Sequence, residues 1–232
     1  VVGAAPPADD LAPLASAGAV VLAAPVDAIL ALLPRLPALT TSAHFVTDTG
    51  STKHAIVERA VEVGLSRFVA GHPMAGGAST GPAEARADLF DDRTWFLLTG
   101  HALAAAREAA AAFVMDLGAR VVTIEDDGHA HDRLVAAISH LPQVVATALR
   151  ARVGETVGAE GLRHAGPGLR DTTRLSASQA SMWAPILHTN ARVLSPLLRA
   201  LSADLERIAD DLDDRAAIER FFSRAHRFPV DP

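Results

Sequence analysis

A histidine follows an apolar run in this chain: Phe68-Val69-Ala70 leads directly into Gly71-His72-Pro73-Met74-Ala75-Gly76. An imidazole titrates near neutral pH, so one held at the end of a strand by a rigid turn can take up and return a proton. The other reading of His72 is a turn residue without chemistry. Upstream, Phe45-Val46-Thr47-Asp48 runs into Thr49-Gly50-Ser51-Thr52-Lys53, a second strand whose end carries polar groups into a helix. Two such ends side by side form a crevice at the carboxyl edge of a parallel sheet, where open α/β folds bind ligands. Ser51 there either offers its hydroxyl and amide to an anion or a hydroxyl group, or serves as an ordinary N-cap.

Two further clusters carry polar chemistry. In Ser139-His140-Leu141-Pro142-Gln143, a helical turn of about 100° per residue puts Asp132, Ser139 and Gln143 on one stripe, with His140 at its edge. The stripe is one wall of a site or a face turned to a neighbouring helix. In Gly168-Leu169-Arg170-Asp171-Thr172-Thr173-Arg174, the planar fork of either Arg170 or Arg174 suits a carboxylate; a surface ion pair is the simpler reading. His129, His131, Asp132 and His140 include metal-ligand types. With no His-Glu-x-x-His and no thiolate, we assign no metal to them.

The elements needed to position these residues alternate at first. Short apolar runs at 20–24, 45–48, 68–71, 95–98 and 120–124 read as strands, and 27–33, 53–63 and 103–117 as helices between them. That alternation predicts an α/β fold, a parallel doubly wound sheet. After Ile124 the pattern becomes wholly helical: 132–152 with a kink at Pro142, a loop-rich stretch over 154–168, then helices over 181–201 and 204–222. We expect one unit over 1–124 and an all-helical unit over 125–232, whose apolar helices call for a partner subunit. The chain enters mid-pattern at Val1, and no Gly-x-Gly-x-x-Gly occurs in it. We therefore expect an upstream segment to carry any phosphate-binding turn, and we expect the first strand, 20–24, to expose an unpaired edge without it.

The 232 residues are half apolar, with a formal charge of -6 and no cysteine. The acidic balance argues against a nucleic-acid partner, and the absence of cysteine removes disulfides and thiolate chemistry. The apolar stretch from Ala19 to Leu33 is interrupted by Pro25 and Asp27, which disfavours a membrane span. A cytoplasmic protein is expected. Lys53 is the only lysine.

Taken together the motifs resemble the prephenate/arogenate dehydrogenase family of tyrosine biosynthesis. The matching stretches are Val21-Leu22-Ala23-Ala24-Pro25, Thr47 to Lys53, Gly71 to Gly76, Asp88-Leu89-Phe90, His131-Asp132, Ser139-His140-Leu141-Pro142, Arg170 to Arg174 and Met182-Trp183. They run in the family's order over nearly the whole chain. The resemblance implies a Rossmann domain followed by a helical dimerisation domain, and NAD or NADP as cofactor. It implies oxidative decarboxylation of prephenate or arogenate, with His72 catalytic and Ser51 holding the same substrate hydroxyl beside the nicotinamide. It further implies that Arg174 binds a substrate carboxylate, in its own subunit or across a homodimer. Ser139, His140, Gln143 and Trp183 would line the substrate pocket, and Ala24, Pro25, Pro73 and Met74 would touch the cofactor. The chain departs from the pattern in the glycine-rich loop it lacks, in Ala78 where many relatives carry glutamate, and in Gln143 where some carry histidine. Two other functions compete: a 3-hydroxyacid-type dehydrogenase using a lysine base, and a noncatalytic dimeric module that binds prephenate without the nucleotide.

Overall fold

The structure is a computed structural model that describes residues 11–76 and 85–229. Five strands form one sheet in the order β1-β2-β3-β4-β5: β1 (Ala19–Leu22), β2 (Phe45–Asp48), β3 (Phe68–Pro73), β4 (Thr94–Leu98) and β5 (Arg120–Ile124). β1, β2 and β3 are parallel, with Val46 opposite both Val20 and Phe68. β2 and β3 are buried along their whole length, as continuous apolar runs in a covered sheet must be. β1 pairs on one side only among the described residues, and Val21 faces outward from it.

The sheet departs from the expected all-parallel pattern at β4, which runs antiparallel to β3, with Gly71 opposite Leu97 and His72 opposite Phe96. The physical reason lies in the connection. A parallel return needs a crossover that spans the sheet, usually a helix, and the described part of the β3–β4 link carries turns and no helix. β5 then returns parallel to β4 through α4 (Ala104–Asp116).

Helices cover both faces. α1 (Val26–Leu32) and α3 (His54–Glu62) bury Ile29, Ile56, Val57 and Ala60 against Val20, Leu22, Val46, Phe68 and Ala70. On the other face α4 sets Ala106, Ala110 and Val114 against Phe45, Val69, Trp95 and Leu97; its alanines let helix and sheet approach closely. α1 does not end the segment at Pro34. A 3-10 turn (Leu33–Arg35) and a short helix α2 (Leu36–Leu39) continue it, because a proline in a first turn costs no hydrogen bond.

After β5 the described residues are helical. α5 (His129–Val135) passes through a π-helical turn (Ala136–His140) into α6 (Leu141–Leu162). The kink expected at Pro142 is thus a π-turn placed just before it, so that the proline falls in the first turn of α6. The stretch read as loop over 154–168 is helical to Leu162, with only Gly158 leaving helical geometry. α7 (Pro167–Thr173), α8 (Ala180–Thr189), α9 (Ala191–Asp210) and α10 (Arg215–Ala225) follow. The expected helix over 181–201 divides at Asn190, whose side chain is drawn inward to other partners. The continuous segment His129–Leu162 is long and apolar enough to cross a membrane by length and composition. Its buried polar residues, described next, are instead spent on hydrogen bonds to the sheet unit, to Asn190 between α8 and α9, and to the Leu175 carbonyl.

Candidate active site

The site is assembled at the carboxyl ends of β1, β2 and β3. The end of β2 turns at Gly50 so that Asp48 can fold back: Oδ2 accepts from the Gly50 amide at 2.9 Å and Oδ1 from the Gly71 amide at 3.0 Å. Lys53, fully buried, donates to the Asp48 carboxylate and to the Gly71 carbonyl, the latter at 2.7 Å. The two strand ends are thereby tied together one residue before His72. Gly71 is required by close approach: a Cβ there would lie 2.6 Å from the Asp48 carbonyl and 2.8 Å from Thr47 Oγ1. Burial draws the Lys53 ammonium below its ordinary pKa and Asp48 opposes that shift.

His72 itself is buried in β3. Its Nδ1 lies 2.9 Å from Nε2 of His131, and His131 Nδ1 lies 2.8 Å from Oδ1 of Asp132. Asp132 also caps α3 from outside. Its two oxygens accept from the backbone amides of Lys53 at 2.7 Å and His54 at 3.0 Å. α3 has no capping side chain of its own, so the N-cap reading of Ser51 does not hold. Ser51 is half-buried and its hydroxyl makes no hydrogen bond to the described residues. The close approach of α5 to α3 depends on Gly128, at φ 100°, where a Cβ would lie 2.5 Å from the His54 amide nitrogen. Burial, then the neighbouring His131, Lys53 and His140, hold His72 well below the ordinary histidine pKa. Burial also lowers His131, against the pull of Asp132. At neutral pH both rings are uncharged.

The π-turn decides which side of the helix meets this cluster. Such a turn acts as a one-residue insertion, and it moves His140 onto the stripe with Asp132. His140 is buried while Ser139 is only half-buried. Asn190 Nδ2 donates to the Asp132 carbonyl at 2.8 Å and to His140 Nδ1 at 3.2 Å. His140 Nδ1 therefore accepts, and its proton sits on Nε2. Burial lowers its pKa to about 4. The ring meets Trp183 edge-on, with centroids 5.9 Å apart. Gln143 donates through Nε2 to the Leu175 carbonyl at 2.8 Å. His140 Nε2, Trp183 Nε1 and Gln143 Oε1 are buried without a partner in the protein. Buried polar groups are almost always paired, and these two donors and one acceptor are candidates for ligand contacts.

Ala24, Pro25 and Met74 stand with Ser51 and Pro73 at the ends of these three strands, and Ala24, Met74, Met182 and Trp183 pack on the same core cluster. Thr52 Oγ1 meets Thr189 Oγ1 of α8 at 2.8 Å. Arg174 is not joined to this group within the protomer. It is exposed, and with Arg150 and Arg170 it lines a cavity of ≈ 370 Å³ bounded by α6 and α7, to which His72 and Ser51 do not contribute. The Gly77-Ala78-Ser79-Thr80 departure and the Val1 end of the chain lie outside the described residues. His54, Asp127 and His129 bring ligand-type atoms within 4.8 Å of one another. The two rings stack face to face at 3.7 Å, and His54 Nδ1 is engaged by the Asp127 carbonyl. Lone pairs on stacked rings do not converge on one point, and we assign no metal there.

Sequence reasoning missed Lys53 and Asp48 as the brace behind His72, and Asn190 as the link between Asp132 and His140. The signal for the brace was present: the one lysine follows a strand that ends in aspartate.

A mostly parallel sheet covered by helices on both faces, with a histidine at its carboxyl edge and a helical unit closing over it, defines an α/β nucleotide-binding protein with an appended helical domain. The family model for the prephenate dehydrogenase nucleotide-binding domain matches residues 3–123, and that for the prephenate dehydrogenase dimerization domain matches residues 127–224. The chain belongs to the prephenate dehydrogenase family. It is 35% identical over 190 residues to the prephenate dehydrogenase of Bacillus subtilis, covering 77% of this chain and 49% of that protein. It resembles the crystal structure of Synechocystis arogenate dehydrogenase at 27% identity and a TM-score of 0.76, over 94% of this chain and 80% of the other. The fold is also that of the Aquifex aeolicus prephenate dehydrogenase solved with hydroxyphenyl propionate and NAD+, with a TM-score of 0.83 at 24% identity, over 94% of this chain and 77% of the other. The chain spans about half the length of the curated relatives it matches.

Proposed function

We propose that the protein oxidatively decarboxylates prephenate or arogenate, giving 4-hydroxyphenylpyruvate or tyrosine, with NAD or NADP as cofactor. The observation that carries this is His72: Nδ1 is occupied by His131, Nε2 makes no hydrogen bond to the described residues, and the ring stands at the strand ends facing His140, whose own Nε2 is buried and unpaired. The residues present fit a nicotinamide dinucleotide. Ala24, Pro25 and Met74 supply a small apolar floor at the strand ends, and Ser51 brings an unpaired hydroxyl to it. When bound, that group supplies the acceptor for the hydride.

His72 Nε2 takes the substrate hydroxyl proton as carbonyl character develops at the ring carbon. Ser51 orients the same hydroxyl. When carbon dioxide leaves, the electrons of the broken carbon–carbon bond complete the aromatic ring, and His72 returns the proton to the phenol oxygen. No net proton is released. His140 Nε2–H and Trp183 Nε1–H donate to acceptor oxygens on the substrate, Gln143 Oε1 accepts, and Ser139 borders the same wall. Arg174, away from His72 in its own protomer, binds the side-chain carboxylate across a homodimer. The unit over 125–232 forms that dimer through apolar side chains it leaves exposed, among them Leu134, Ile138 and Leu205, in a cytoplasmic enzyme.

The 3-hydroxyacid alternative needs a lysine base, and the chain's one lysine is locked between Asp48 and Gly71. The test is steady-state turnover with prephenate and with arogenate, each with NAD and NADP, beside separate calorimetric titrations. Reduction of nicotinamide coupled to release of carbon dioxide is expected. Binding of prephenate without any binding of NAD or NADP would instead identify a noncatalytic module.

A further inference from the structure

We propose that Asp132 and His131 form a positioning pair that fixes the tautomer of His72, placing its proton on Nδ1 and its lone pair on Nε2. The inference rests on the reading of His72 as the base. It follows from what each partner can do. A carboxylate only accepts, so His131 Nδ1, 2.8 Å from Asp132 Oδ1, must donate. An uncharged imidazole has one proton, so His131 Nε2 carries a lone pair. His72 Nδ1, 2.9 Å away, is therefore the donor, and Nε2 is left as the basic atom. The bond made by one ring nitrogen sets the state of the other. A neutral histidine left to itself favours the opposite arrangement, with Nε2 protonated and unable to accept.

Asp132 cannot turn away from this task. Its two oxygens are held by the Lys53 and His54 amides, and its carbonyl by Asn190. Lys53, His140 and Asp48 are the other charged or titratable groups facing the two rings. None of them bonds to a ring nitrogen of His72 or His131, so they bear on charge and not on tautomer.

The pair is tested with three variants of the full chain. Gln at position 131 brings an amide oxygen close to the place of the imidazole Nε2, whereas Leu fills the space with no acceptor. Histidine-labelled protein without substrate reports the tautomer by nitrogen and carbon chemical shifts, with the His72 signals assigned by their loss in His72→Asn. We expect His72 protonated on Nδ1 in the parent and in His131→Gln, and on Nε2 in His131→Leu. Turnover should fall about 10²–10³-fold in His131→Leu with the Michaelis constant little changed, and recover to within about tenfold of the parent in His131→Gln. Should His131→Leu fail to fold, His131→Phe serves. Its ring has a similar shape and no nitrogen to accept from His72 Nδ1, so it should give the same tautomer and cost turnover by a similar factor. His72 protonated on Nε2 in the parent, or equal turnover of the Leu and Gln variants, would overturn the proposal. Because the tautomer is read without substrate, the expected shifts in a protein that turns over neither prephenate nor arogenate would sink the functional reading and leave this one standing.

Discussion

At the scale of the residue, the proposed role of His72 as base requires an uncharged ring. Its pKa is depressed by burial first and by His131, Lys53 and His140 after that. A depressed value means protonation, and loss of the base, comes only at acid pH. The acid limb of kcat/KM should therefore fall at a pH below 6.5, the ordinary value for histidine; a limb centred above it would contradict the burial. His72→Asn should lower turnover about 10²–10⁴-fold with little change in substrate affinity, and turnover close to the parent's would remove His72 from the mechanism. Arg174→Ala should raise the Michaelis constant about ten- to a hundredfold, as for loss of a charge-assisted hydrogen bond of about 1.5–3 kcal/mol, while kcat holds. A fall in kcat alone would transfer the carboxylate role to Arg170. His72 was legible in the sequence because its flanks, an apolar run before it and Pro73 and Gly76 after it, spell a strand end. Its partners were not legible. His131-Asp132 stands 59 residues on, and only the docking of α5 brings the rings together.

At the scale of the element, the turn after β2 and the end of β3 behave as one piece. Lys53→Met would leave Asp48 buried with two amide donors and no counter-charge, and should cost about 3–5 kcal/mol in denaturant unfolding. An unchanged midpoint would show that the ion pair contributes nothing to stability. Gly71→Ala should cost about 1–3 kcal/mol, since the added carbon meets the Asp48 backbone carbonyl as well as Thr47 Oγ1 and Trp95 Nε1. β2 and β5 could be read from sequence because their apolar, β-branched runs are short and bounded by polar or glycine residues. The direction of β4 could not, because it depends on whether the link before it holds a helix. The π-turn was hidden for a related reason: Pro142 announces an irregularity, but where the extra residue is absorbed depends on His140 finding Asn190. The stretch from Gly154 reads as loop in the sequence, yet Gly154 is carried through within α6. Ser51 looked like a cap because the true cap comes from another element.

At the scale of the whole molecule, the two units share buried histidines, and this sets how the protein responds to acid. His140 is lowered to about 4, and His72 and His131 are lowered too. Between 6.5 and about 4 the unfolded chain binds protons on these residues that the folded chain refuses. Stability must then fall as pH falls through that window. Denaturant midpoints measured across it should drop, and the drop should be smaller in His140→Asn; a flat profile would mean that the rings are hydrated. Light scattering at micromolar concentration should find a dimer, and a monomer would leave the exposed apolar residues of the helical unit unexplained. The break in pattern after Ile124 was readable in the sequence as the end of alternation. Where Arg174 would meet substrate was not, because the cavity it lines lies apart from His72 in one protomer.

The carboxylate of Asp132 belongs to two structures at once, ending α3 in the sheet unit and steering a ring that reaches His72. The chain therefore contains an interlock. A molecule whose sheet has formed ahead of its helical unit has α3 without its cap and His72 without its Nδ1 partner, so on the proposed function it has no base set to take a proton. During refolding, turnover should return with the step that seats α5, and not with any earlier recovery of sheet signal.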